Sequence, residues 1–118
     1  MNKLTIILLF IFFITTDAIS KTVFSELNFL NGNIYKGDVD SEGINGVGTL
    51  TFANGDIYTG EWKNNRANGE GIFIWANGDK YAGEFKNDKK HGMGILTYAD
   101  GRIEKGKWKN DIFKGTNN

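Results

Sequence analysis

His91 is the one histidine of the 118-residue chain, and its side chain is the one best suited to acid–base chemistry near neutral pH. Asp88 precedes it closely enough in the sequence to orient an imidazole ring. Catalysis would also need a nucleophile, and the chain has neither a Gly-x-Ser-x-Gly sequence nor a cysteine. Without a convergent set of such groups, we predict no catalytic residues and no enzymatic activity.

Metal, cofactor and nucleic-acid chemistry lack their usual residues as well. One histidine, no cysteine and scattered carboxylates disfavour a metal site. Gly-x-Gly pairs could cradle a phosphate, but no helical segment follows them, so we predict no cofactor. These pairs are Gly46/Gly48, Gly69/Gly71 and Gly92/Gly94. The formal net charge of +0 argues against nucleic-acid binding.

The charged residues are distributed unevenly along the chain. Residues 21–61 carry two lysines against six acidic residues, whereas residues 62–118 carry eleven basic residues against seven acidic ones. The basic half could bind an anionic surface, or its lysines could form a solvated face. Glu61 and Glu84 recur at equivalent positions, and we interpret them as part of such a solvated strand face.

Residues 1–20 have the features of a secretory signal peptide. Lys3 is followed by an apolar run from Leu4 to Ile14, and small residues then occupy the positions that a signal peptidase recognises. The run is shorter than the about 20 residues needed to span a bilayer. We predict cleavage after Ser20, with cleavage after Ala18 as the alternative. Export then leaves a domain of residues 21–118 in the periplasm, the medium or the secretory pathway.

That domain contains a repeat of 23 residues without insertions. The half repeat 23–30 is followed by repeats 31–53, 54–76, 77–99 and 100–118. The recurring columns are Gly32/Gly55/Gly78/Gly101, Gly37/Gly60/Gly83/Gly106, Gly46/Gly69/Gly92/Gly115, Tyr35/Tyr58/Tyr81/Glu104 and Val39/Trp62/Phe85/Trp108.

Each repeat contains an Asn-Gly or Asp-Gly pair, which is a strong hairpin signal. A three-residue turn with a glycine bulge would place Leu50 opposite Tyr58 and Gly48 opposite Gly60. The repeated aromatics and glycines then share one face, whereas a two-residue turn would separate them. We therefore predict the three-residue turn, with each glycine leaving a hollow for a neighbouring ring.

The sequence thus predicts an all-β fold. The chain should form an elongated, single-layer antiparallel sheet of tandem hairpins, with about eight strands ending at the strand through Trp108. The face opposite the rings is moderately apolar. Either sheet curvature and long lysine side chains cover it, or a partner does.

The repeated motif resembles the MORN repeat (membrane occupation and recognition nexus). The resemblance rests on YTGEW at 58–62 with NGEG at 68–71, and on YAGEF at 81–85 with HGMG at 91–94. It covers residues 31–108. Departures include Asn65 and Asp88, where the family often has glycine, and Glu104, where it has tyrosine.

This resemblance implies contacts with proteins or membrane lipids rather than catalysis. We predict an exported scaffold or binding module whose partner is a protein or a second copy of the chain. Its predicted binding surface comprises Tyr35, Tyr58, Trp62, Tyr81, Phe85 and Trp108, with the basic loop residues Lys86, Lys89 and Lys90. The alternatives are a surface glycan stacked on the rings, or acidic phospholipid bound by Lys86, Lys89, Lys90, Lys105, Lys107 and Lys109.

Overall fold

The computed structural model describes residues 21–116, which form one antiparallel sheet of nine strands hydrogen-bonded in chain order. At a spacing of about 4.8 Å per strand, the sheet extends about 38 Å across its strands. The strands are β1 (Val23–Asn28), β2 (Ile34–Asp40), β3 (Gly43–Thr51), β4 (Ile57–Lys63), β5 (Arg66–Ile74), β6 (Lys80–Lys86), β7 (Lys89–Thr97), β8 (Ile103–Lys109) and β9 (Ile112–Gly115). The predicted signal peptide lies outside the described residues. Residues 21–116 include no helix long and apolar enough to cross a membrane.

The turns along one edge of the sheet have the predicted three residues. In the β3–β4 turn, the Gly55 N–H donates to the Phe52 carbonyl at 3.0 Å, and Gly55 has a φ of 96°. Because that backbone region favours glycine, the bulge position selects Gly55. Leu50 consequently pairs with Tyr58 and Gly48 with Gly60, as predicted.

The connections along the opposite edge, one of which was predicted as a basic loop, are short hairpin turns. Two-residue turns at Asn64-Asn65, Asn87-Asp88 and Asn110-Asp111 have positive φ angles of 47° to 70°. Asparagine and aspartate tolerate this conformation, so a type I′ hairpin forms without glycine. The segment predicted as a basic loop, Lys86 to Lys90, is therefore such a turn flanked by two strands. The third turn starts β9, which the predicted count of about eight strands did not include.

The core consists of rings on one face of the sheet. Tyr35, Tyr58 and Tyr81 are 0–2 % exposed. A Cβ added to Gly48 would lie 2.2 Å from the Tyr35 hydroxyl oxygen, and one added to Gly94 would lie 2.2 Å from that of Tyr81. The tyrosine rings therefore occupy the space that side chains on the next strand would fill, which confirms the predicted packing of rings on glycines.

Candidate interaction surface

The six rings predicted as a binding surface are core residues. Their side chains are 0–7 % exposed, and they contact one another edge to face along the sheet. Tyr58 has ring centroids at 5.0 Å on both sides, from Trp62 and from Phe85, and Tyr81 lies 5.4 Å from Trp108. Each buried aromatic side chain contributes roughly 1.5–3 kcal/mol to folding. Their burial supports a structural role and does not support direct contact with a partner.

The polar atoms of these rings are also used inside the domain. The hydroxyls of Tyr35, Tyr58 and Tyr81 donate to backbone carbonyls three residues ahead at 2.8–2.9 Å. Burial raises the pKa of Tyr35 and of Tyr81 to about 12, with a smaller contribution from the nearby carboxylates. Their hydroxyls therefore remain neutral donors at physiological pH.

The three predicted lysines lie in two different environments. Lys86 and Lys89 are exposed cross-strand neighbours at the ends of β6 and β7. The Lys90 side chain is only 14 % exposed, and its Nζ lies 3.4 Å from an Asp111 carboxylate oxygen. Lys90 Nζ also lies 5.3–5.9 Å from the ring centroids of Trp75, Tyr81 and Trp108. Lys86 and Lys89 can therefore meet a partner, whereas Lys90 belongs to the core.

The face opposite the tyrosines is here called the open face. Along each strand its residues alternate with those of the core face, so Thr59, Ile72 and Ala82 form one cross-strand row. These three residues line a shallow depression of about 460 Å³. Large apolar side chains are exposed on the same face, among them Val47, Ile72, Ile74, Met93, Ile95 and Ile103. Within residues 21–116 no second layer covers this face.

Lysines surround the apolar residues at the C-terminal end of the open face. Lys105 is the cross-strand partner of Ile95, and Lys107 is that of Met93. The exposed lysines of this region are Lys80, Lys86, Lys89, Lys105, Lys107 and Lys109, and none of them forms an ion pair within residues 21–116. The open face therefore offers exposed apolar area with a positively charged border.

The structure gives Asp88, considered above as a partner for His91, a different hydrogen-bond partner. The Asp88 carboxylate accepts the Ala67 N–H at 2.8 Å, while His91 Nδ1 is buried without a hydrogen-bond partner among the described residues. His91 Nδ1 therefore makes no hydrogen bond to the Asp88 carboxylate, which a catalytic pair of these two residues would use. Within the described part of the chain, no three His, Cys, Asp or Glu side chains are arranged to hold a metal ion.

The carboxylates interpreted as a solvated face have specific partners. Glu61 accepts the N–H of Glu70, and Glu84 accepts that of Met93, both across a register shift in the sheet. A Cβ at Gly69 would lie 2.5 Å from a Glu61 carboxylate oxygen. The first glycine of each Gly-x-Gly pair thus admits a carboxylate, and the second admits a tyrosine ring, so the pattern needs no phosphate.

Two rows of side-chain hydrogen bonds along the sheet edges were not predicted. Asn65, Asp88 and Asp111 each accept the N–H of the residue 21 positions earlier. At the other edge, Asp56 accepts the N–H of Ala76, and Asp79 accepts that of Ala99, at 2.8 Å. The recurrence of Asn and Asp at the repeat spacing was the signal that could have revealed both rows.

Comparison with known families identifies three consecutive repeats. The family model described as MORN repeat matches residues 35–57, 58–80 and 81–101. These matches include the three tyrosines that lie on glycines and the turns of both edges. A comparison with curated proteins found no match.

Proposed function

Since the chain belongs to the MORN repeat family, we propose that it is an exported, non-enzymatic binding module that contacts a partner protein through its open face. MORN repeats are generally protein- or lipid-binding modules, and proteins built from them are typically non-enzymatic. The core face is filled by its own rings, which leaves the open face as the exposed apolar surface of the repeats.

The observation that carries this proposal is the lysine-bordered apolar area on the open face. Covering exposed apolar surface contributes about 25 cal/mol per Å² of area removed from water. Ile95 and Ile103 supply such area beside Lys105 and Lys107. The complementary partner surface has apolar residues at its centre and acidic residues at its rim.

Photo-crosslinking in the producing cell tests the open face directly. A photoreactive residue replaces Ile72 or Ile95 on the open face, and Leu30, an exposed apolar residue in a turn, is the matched control position. We expect a covalent adduct of one defined protein from Ile72 and Ile95, and none from Leu30. Equal labelling at all three positions, or no adduct from the open face, would contradict the proposal.

An acidic phospholipid surface is the second candidate, because the exposed lysines would attract it. Vesicles of phosphatidylcholine with and without phosphatidylserine provide the test. Binding should require phosphatidylserine, weaken with added salt, and fall in the Lys86→Glu/Lys89→Glu variant. The Lys90→Met variant is the control that should bind unchanged, since Lys90 is held in the core. Binding that is absent or insensitive to salt would exclude this candidate.

Glycan stacking is not favoured. That hypothesis needs exposed ring faces, and the repeated tyrosines are 0–2 % exposed. Tyr58→Ala and Tyr81→Ala should unfold the domain before they affect any surface.

N-terminal sequencing of the protein recovered from outside the cytoplasm of the producing cell tests export and cleavage. A mature chain that begins at Lys21 supports cleavage after Ser20, and one that begins at Ile19 supports the alternative after Ala18. A chain that retains residues 1–20 would contradict the predicted cleavage. Either cleavage leaves all nine strands intact.

A further inference from the structure

Three carboxylates form a row across the middle of the open face. Glu70 on β5 faces Glu84 on β6, and the Glu61 carboxylate on β4 accepts the Glu70 N–H. These residues, Glu61, Glu70 and Glu84, are here called the acidic row. None of them forms an ion pair within residues 21–116. The middle of the open face is therefore negatively charged, in contrast to its lysine-bordered C-terminal end.

The acidic row is a like-charge arrangement that the domain does not compensate. Directly facing residues of antiparallel strands have Cβ atoms about 4.5–5.5 Å apart, and like charges at such positions are destabilising. The Glu84 carboxylate accepts the Met93 N–H and so contributes to the sheet. The Glu70 carboxylate has no hydrogen bond or ion pair among the described residues. A cation from a partner would therefore remove a repulsion and add an attraction.

An apolar row runs beside the acidic row. It comprises Thr59, Ile72, Ala82 and Ile95, which pair in succession across β4 to β7. Ile72 follows Glu70 by two residues on β5, so the two rows lie about 6.7 Å apart. The shallow depression of about 460 Å³ in this face is lined by Glu70 as well as by Ile72 and Ala82. The face thus offers apolar contact and negative charge side by side on successive strands.

We propose that the open face binds an amphipathic helix of a partner protein, with apolar side chains on the apolar row and lysine or arginine side chains on the acidic row. The inference rests on the proposed binding function and names the chemistry of the partner at that same face. Lys105 and Lys107 lie on β8, beyond both rows. Acidic residues of the partner are therefore needed only at the end of the helix that reaches β8.

The surface of a sheet favours a helix over an extended segment. The backbone N–H and C=O groups of β4 to β6 are paired with neighbouring strands, so a segment on the face receives no hydrogen bonds from them. A helix satisfies its own backbone groups and can present two adjacent stripes of side chains. One helical turn rises about 5.4 Å, close to the spacing of about 4.8 Å between strands. Successive turns would therefore face successive strands.

Charge also gives the bound helix a direction. The partial negative charge at a helix C-terminus is attracted by Lys105 and Lys107 on β8, and the partial positive charge at the N-terminus by the Asp38 carboxylate on β2. From β2 to β8 the face extends about 29 Å, the length of a helix of about 19 residues. We therefore expect the helix to cross the strands with its C-terminus near β8.

Fluorescence anisotropy with labelled synthetic peptides measures this binding to the mature protein. One peptide, of about 19 residues, has a stripe of leucines flanked by lysines, and the other has glutamate in place of every lysine. The leucine–lysine peptide should bind, with an affinity that falls as salt is added. The leucine–glutamate peptide should bind about tenfold more weakly or not at all.

Glu70→Lys tests the acidic row without removing a structural hydrogen bond. It places a cation opposite Glu84, so its urea midpoint should equal or exceed that of the wild type, while the leucine–lysine peptide binds about tenfold more weakly. Glu42→Lys makes the same charge change at an exposed residue between β2 and β3 and should leave binding unchanged. Equal weakening by the two variants, or equal binding of the two peptides, would overturn the proposal.

Photo-crosslinking from Ile72 in the producing cell separates this proposal from the binding function. The wild-type adduct should be lost in Glu70→Lys and kept in Glu42→Lys, and its cross-linked peptide should carry basic residues. An adduct that persists in Glu70→Lys, or that contains a second copy of the chain, refutes the basic helix and leaves binding through the open face standing. The absence of an adduct from every variant contradicts the binding function itself.

Discussion

The Tyr58 ring lies directly on the backbone of Gly71, where a Cβ would be 2.5 Å from the tyrosine hydroxyl oxygen and 2.7 Å from the ring carbons. Gly71 is not in the left-handed region, so its requirement for glycine is steric. Tyr35 has the same relationship to Gly48, and Tyr81 to Gly94. One substitution can therefore test the packing rule of the whole array.

Gly71→Ala should destabilise the domain by about 3 kcal/mol, the upper part of the usual cost of overpacking a core. The added methyl group has no space unless the Tyr58 ring moves, and that ring also contacts Trp62 and Phe85. Urea denaturation measures the loss of unfolding free energy. Gly101→Ala is the control, because a Cβ there meets no atom within 4 Å, so it should cost only the roughly 1–2 kcal/mol of an alanine at a positive φ. Equal effects of the two substitutions would contradict the steric explanation.

The hairpin register was predictable because two independent signals agreed. The Asn-Gly and Asp-Gly pairs located the turns, and the requirement that rings and glycines share one face fixed the pairing to the residue. The same rule correctly paired Leu27 with Tyr35, and Gly92 with Trp108. Periodicity in strands specifies register strongly when one face is buried.

The packing of rings on glycines was predicted, but the near-complete burial that removes these rings from the binding surface, and the environment of Lys90, were not predictable in the same way. A sheet with one aromatic face could expose that face to a partner or cover it with its own side chains, and the residue pattern is identical in both cases. Edge-to-face contacts decide the matter, both within one strand, as between Tyr58 and Trp62, and across an intervening strand, as between Tyr35 and Trp62, and they depend on side-chain orientation. Lys90 occupies the column of Ile44 and Ala67, a position that marks it as a core residue only once that column is known to be buried.

Asp88 provides a test of the hydrogen-bonded row along the turn edge. Its φ is 69°, and its carboxylate accepts the Ala67 N–H. Asp88→Asn should keep nearly full stability, since Asn65 makes the same bond one repeat earlier. Asp88→Gly keeps the backbone conformation and should lose about 1 kcal/mol for the bond, whereas Asp88→Ala should lose about 2 kcal/mol because strain is added. Thermal denaturation followed by circular dichroism ranks the three. A ranking in which alanine is the mildest would refute both contributions.

Substitutions of Lys90 test whether its charge or its hydrocarbon chain contributes to the stability of the domain. Lys90→Met should stay within about 1 kcal/mol of the wild type, since the Asp111 carboxylate that it leaves is half-exposed and solvated, and ion pairs with an exposed partner contribute little. Lys90→Glu should be strongly destabilising, because it places an anion against three ring faces and beside Asp111. Unfolding in urea gives both values. Similar losses for Met and Glu would show that the ammonium group itself is required.

Alkaline pH should unfold the domain through its buried tyrosines. The pKa of Tyr35 and Tyr81 is raised from 10.0 to about 12 in the folded protein, chiefly by burial, and that of Tyr58 is raised as well. A raised pKa means that the folded state holds the proton more tightly. The stabilisation is therefore complete below pH 10 and is lost as the pH rises towards 12. The loss is on the order of 2 kcal/mol for each tyrosine, which together is a large part of the stability of a small domain.

Urea titrations at increasing pH, with tyrosinate absorbance recorded in parallel, should show ionisation and unfolding together. Tyr35→Phe has one buried hydroxyl fewer, so its stability should be lower at neutral pH but should decline less steeply above pH 10. Ionisation of all the tyrosines near pH 10 while the sheet remains folded would contradict their burial.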